Sequence, residues 1–180
     1  MRRIGLMFVM ALASTAGMAQ MAGSAAPAPP APAAGPAAEA RRSYEAVKVN
    51  VLKSADLMPA EAFTSKPLPD VRTYARILNH VTEAQTASCS SINGSPMAKV
   101  PADTDDKATI VAALKASFEE CDKAYGALTD TNLADPITVF RAKRSRVSVL
   151  WGNTSHDNEQ YAQLALYLRL KGLTPPSSEK

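Results

Sequence analysis

Apolar residues recur every three or four positions in four separate stretches of this chain, and no run sustains the alternation of a strand. The first stretch, 39–57, places Tyr44, Val47, Val51 and Ala55 on one stripe and stops at Pro59. The second follows Pro69, with Asp70 as the expected N-cap, and carries Tyr74, Ile77, Leu78, Val81 and Gln85 as far as Ile92. Asn93-Gly94-Ser95-Pro96 is a stop signal. The third begins near Asp105 and Asp106, whose charges suit the positive end of a helix dipole, and buries Ile110, Leu114, Ser117, Cys121 and Tyr125. The fourth spans 147–172, where Gly172 is placed to take the left-handed turn that ends helices and Pro175 and Pro176 forbid resumption. Four such helices predict an all-α fold, a four-helix bundle. Short loops predict antiparallel neighbours, with a crossover permitted by the longer loop before the fourth helix.

The front of the chain has a different character. Met1-Arg2-Arg3, the apolar stretch Ile4–Ala16 and the small residues around Gly17-Met18-Ala19 read as a signal peptide, 1–19. Its apolar part is too short for a stable membrane span, so the expected product is exported, periplasmic or extracellular. Residues 20–38 read as an Ala/Pro-rich linker, which leaves 39–176 for the bundle and 177–180 as a tail. The formal net charge of +3 includes Arg2 and Arg3, so the mature chain is near neutral, which excludes the electrostatic footprint of a nucleic-acid binder. The one dense basic run, Arg141, Lys143, Arg144 and Arg146, reads as a solvated loop leading into the fourth helix. Cys89 and Cys121, the chain's two cysteines, form a disulfide candidate between the second and third helices, the alternative being two buried free thiols.

Candidate chemistry gathers on the fourth helix. Leu150, Tyr161, Leu164 and Leu168 share a stripe, and Asn153, Asp157 and Gln160 fall within or beside it, with His156 at its edge. Polar groups on a face that buries leucines need partners, so they mark a site or an internal hydrogen-bonded network. On the second helix His80, the other of the two histidines, sits at the rim of the apolar stripe. Bundle cores let side chains from facing helices converge, so the two imidazoles predict a shared site in a cleft bounded by helices two and four. No trio of serine, histidine and acid stands out, and there is no phosphate loop or CxxC, so no residue is assigned as catalytic.

Leu78-Asn79-His80-Val81, the run His156-Asp157-Asn158-Glu159-Gln160-Tyr161 and the ending Tyr167 to Ser178 resemble the DinB-like superfamily of four-helix-bundle proteins. That superfamily includes thiol-dependent transferases related to bacillithiol transferase and YfiT. The resemblance implies a site for a divalent metal, zinc or nickel, made by three histidines: one from the second helix and two at i and i+4 on the fourth. His80 and His156 match two positions. Gln160 stands at the third, and a neutral carboxamide oxygen is a weak ligand beside imidazole. Asn153 and Asp157 would support the ligands from behind. An open metal position would bind water or a thiolate and activate it, in keeping with thiol transfer or hydrolysis. The broken ligand set favours a protein that binds a small molecule, with catalysis weakened or lost. The alternative is a metal-dependent thiol transferase or hydrolase acting on a small molecule. Bundles of this type also lead one to expect a homodimer.

Overall fold

A computed structural model describes residues 34–179. The segment read as a signal peptide, 1–19, and the segment read as a linker, as far as residue 33, lie outside the described residues. Among the described residues four helices carry the fold: α1 (Pro36–Leu57), α2 (Tyr74–Asn93), α3 (Lys107–Gly126) and α4 (Arg146–Leu170). Single 3₁₀ turns at Ala60–Ala62 and Pro176–Ser178 complete the helical part. The four-helix bundle read from the periodicity is present.

Local chemistry explains the starts of the helices. α1 begins three residues before the expected Glu39, because Pro36 suits a first helical turn and Asp130 accepts from the Ala37 N–H at 2.8 Å. An added Cβ at Gly35 would meet that carboxylate at 1.9 Å, so a larger residue there would push the Asp130 side chain off the Ala37 N–H. α2 starts at Tyr74, and its N-cap is Thr73 rather than Asp70: the Thr73 hydroxyl oxygen accepts from the Arg76 N–H at 3.1 Å. Asp106 caps α3 and Ser145 caps α4 in the same manner.

The order of packing departs from the antiparallel expectation. α1 packs on α3 and α4, and α2 packs on α3 and α4, so α1 and α2 face each other across a diagonal. α2 and α3 run parallel: Asn79 bonds Asp103 just ahead of α3, Gln85 meets Ser117, and Cys89 meets Cys121 further along both helices. The crossover therefore lies in 94–106 and not before α4. Extended, that segment reaches about 40 Å, more than the roughly 30 Å length of a 20-residue helix, so the chain can return along the bundle before α3 starts. Asn93 and Ser95 anchor its near end by donating to the Glu120 carboxylate.

The core is apolar and aromatic. Tyr44 of α1 stacks on Tyr125 of α3 with ring centroids 3.9 Å apart, and its hydroxyl donates to the Asp122 carboxylate. A disulfide joins Cys89 to Cys121, both fully buried, with Cα atoms 5.0 Å apart. One element carries no clear signal in the sequence. Between α3 and α4 the chain forms an antiparallel hairpin, β1 (Pro136–Val139) and β2 (Ala142–Ser145), where a plain loop was expected.

Candidate functional site

The structure brings the two histidines together. The rings of His80 on α2 and His156 on α4 meet edge to face, with centroids 4.8 Å apart and planes inclined by 71°. Each Nδ1 faces a carboxylate. His80 Nδ1 lies 3.3 Å from Glu83 Oε2, and Glu83 is in turn gripped by both terminal nitrogens of Arg76, at 2.7 and 2.8 Å. His156 Nδ1 lies 3.5 Å from Asp157 Oδ1, within ion-pair range but not aligned for a hydrogen bond. Both ring nitrogens of His156 are therefore buried without a hydrogen-bond partner. Burial lowers the His80 pKa from its ordinary value against the pull of the Glu83 hydrogen bond; Arg72, His156 and Arg76 lower it further.

Behind the pair lies the polar network that the α4 pattern foreshadowed. Asp157 is 0% exposed, and its Oδ2 accepts from Gln85 Nε2 at 3.0 Å and from Asn153 Nδ2 at 3.3 Å. The Ser117 hydroxyl of α3 lies 2.8 Å from Gln85 Oε1, so the network ties three helices. Asp157 Oδ1 and Asn153 Oδ1 have no partner. Burial pushes the Asp157 carboxyl above its usual range, against the opposing pull of His156, Gln85 and Asn153. Glu159, on the opposite face of α4, is exposed.

Gln160 is buried, at 2% exposure, but neither His156 nor Asn153 is its partner. Its Oε1 accepts from Arg72 Nη1 and from Gln163 Nε2, each at 3.3 Å. This bears on the metal that the resemblance implies. The orphaned His156 nitrogens suit one metal bond, and His80 suits a second. At the third position the oxygen is a weak donor already engaged by a guanidinium, whose positive charge opposes a cation nearby. Among the described residues, no three His, Cys, Asp or Glu side chains form a group able to hold a metal ion. The donor set does not fit a tightly held divalent ion.

What the geometry does offer is space. A cavity of about 600 Å³ lies between α2, α4 and the hairpin, and His80, Asn153 and His156 line it. Asp157 and Gln160 are not among its lining residues. Ala84 and Ala87 of α2, Val149 and Gly152 of α4, and Met97 of the crossover form much of its apolar wall. Val139, Phe140 and Arg144 cover it from the hairpin. The register pairs Val139 with Ala142 and Ile137 with Arg144, which puts these four on one face of the hairpin, with Lys143 on the other. Arg144 thus lines the cavity while remaining exposed, and the basic run read as a solvated loop is a strand from Ala142 to Ser145. Ile137-Thr138-Val139 carried a strand signal, but the turn hid it. Phe140 and Arg141 sit at φ 49° and 64°, where hairpins ordinarily place asparagine and glycine.

The family model of the DinB superfamily matches residues 43–164. No functionally curated protein matches the chain. Among solved structures, a DinB-like protein from Bacillus cereus ATCC 10987 aligns with a TM-score of 0.62 at 19% identity, over 76% of this chain and 93% of its own. A conserved protein from Enterococcus faecalis aligns with a TM-score of 0.61 at 13% identity, over 77% of this chain and 98% of its own. At these identities the two likenesses speak to the fold alone.

Proposed function

The chain belongs to the DinB superfamily, and from that premise we propose that it is an exported protein that binds a small organic molecule in the cavity between α2, α4 and the hairpin. It does so without a resident metal, and with the family's chemistry weakened or lost. One observation carries this reading: apolar walls converge on His156, whose two ring nitrogens are buried and unpartnered. A neutral imidazole offers one donor and one acceptor, so a hydroxyl, carbonyl or amine on the ligand would satisfy what the protein leaves open. A largely apolar pocket with a few convergent polar groups is the usual form of a small-molecule site. Export is supported by the signal-like residues 1–19 and by the Cys89–Cys121 bridge, since disulfides persist in oxidising compartments.

A second reading, a metal-dependent transferase or hydrolase, has one observation in its favour. Both Nδ1 atoms face carboxylates, which leaves both Nε2 atoms free, the arrangement common behind metal-binding histidines. Thermal denaturation of chelator-dialysed protein separates the two. A panel of small organic molecules is expected to contain members that raise the Tm of the wild type and leave His156→Phe unmoved. Stabilisation by zinc or nickel alone, at stoichiometric concentration, would overturn the proposal in favour of the second reading.

A further inference from the structure

Arg144 is the charged residue of the cavity that no described carboxylate neutralises. Elsewhere Arg76 holds Glu83 and Arg146 lies 4.0 Å from Asp135, while Arg141 and Lys143, which likewise meet no described carboxylate, do not line the cavity. Arg144 is exposed and lines the cavity, so it stands at the mouth, on the same hairpin face as Val139. A guanidinium at the rim of an apolar opening can receive a carboxylate, which it binds through two parallel N–H bonds. Resting on the reading of this cavity as a small-molecule site, we infer that its occupant is a small amphiphilic organic acid, with its carboxylate on Arg144 and its apolar body along α2 and α4.

The polarity of the cavity fixes which end of the acid goes where. At the inner end Asn153 Oδ1 is a buried, unpartnered oxygen that would repel a carboxylate. The mouth has Arg144 and solvent. Glu83, the lining carboxylate, does not compete, because Arg76 occupies both of its oxygens. Between the ends, Ala84, Ala87 and Gly152 keep the walls low and leave width for an alkyl or aryl body, while Met97 can adapt to its shape. The charged head stays hydrated at the rim and the body is apolar apart from a neutral hydroxyl or carbonyl that meets His156, so the acid binds without burying its charge.

Calorimetric titration of the full chain with octanoate, 1-octanol and octylamine tests this. Octanoate is expected to bind about tenfold more tightly than either neutral or cationic analogue, a modest factor because Arg144 is solvent-exposed. Arg144→Ala is expected to remove that advantage and leave octanol binding unchanged. Lys143→Ala, on the outer hairpin face, should bind all three as the wild type does. From hexanoate to decanoate, affinity should rise about fourfold for each added methylene. Equal binding of octanol or octylamine, or an Arg144→Ala protein that keeps the octanoate preference, overturns the acid and leaves the small-molecule reading standing. Binding of none of the three also overturns it. If the organic panel on the wild type is then empty as well, the cavity reading falls with it.

Discussion

Asp157 shows how much a single buried carboxyl sets at this site. Its folded pKa is raised by burial, so the folded state holds the proton more tightly than the unfolded chain, whose aspartate titrates near pH 4, about its unperturbed value. The sign follows. The stabilising contribution is full below that value and is lost as the pH rises through the folded pKa. Asp157→Asn, a mimic of the protonated carboxyl, should therefore flatten the decline in stability above about pH 4 and be at least as stable as the wild type at pH 7. Asp157→Ala should instead lose about 1–3 kcal/mol, because Gln85 Nε2 would be left buried without an acceptor and Asn153 Nδ2 would keep only the Tyr125 hydroxyl. Urea denaturation from pH 4 to 8 measures both. A wild-type profile as flat as that of Asp157→Asn would contradict the assignment. His80 contributes the opposite slope: its neutral form is favoured in the fold, so its share is lost on acidification below the ordinary imidazole pKa.

At the scale of elements, two features make separate predictions. The Cys89–Cys121 bridge ties parallel helices across a separation of 32 residues, and reduction should cost about 3–4 kcal/mol, read as a fall in urea midpoint with a thiol reductant. The hairpin turn carries the opposite sort of leverage. Phe140 and Arg141 both occupy the left-handed region, so Phe140→Asn with Arg141→Gly should raise stability by about 1 kcal/mol or more in the same assay. These elements also show what the chain disclosed in advance. The four helices were legible because each buries one stripe with a strong period, and the two histidines were legible because they sit at the edges of those stripes on facing helices. The hairpin was not, since its short strands face a cavity rather than a core and its turn lacks the usual residues. The parallel course of α3 was not either: a stop signal such as Asn93-Gly94-Ser95-Pro96 says that a helix ends, not how far the chain travels before the next begins. Nor was the engagement of Gln160 by Arg72, which comes from a loop that carries no periodicity.

For the molecule as a whole, a fold whose family resemblance implies a three-histidine metal centre here carries two imidazoles, a guanidinium and an apolar cavity closed by a hairpin. The bundle positions the pair from α2 and α4, the network through Ser117, Gln85 and Asp157 holds α4 in register with the other two helices, and the hairpin supplies the roof and its arginine. The central claim is that this site holds an organic molecule and no metal. Native mass spectrometry of the full-length protein, purified gently from the cells that make it, addresses that claim at once. The account predicts a fraction of molecules carrying one small organic adduct, lost on denaturation, with no metal increment above background and no adduct on a His156→Phe protein. A stoichiometric zinc or nickel increment that survives buffer exchange and vanishes in His156→Phe would contradict it.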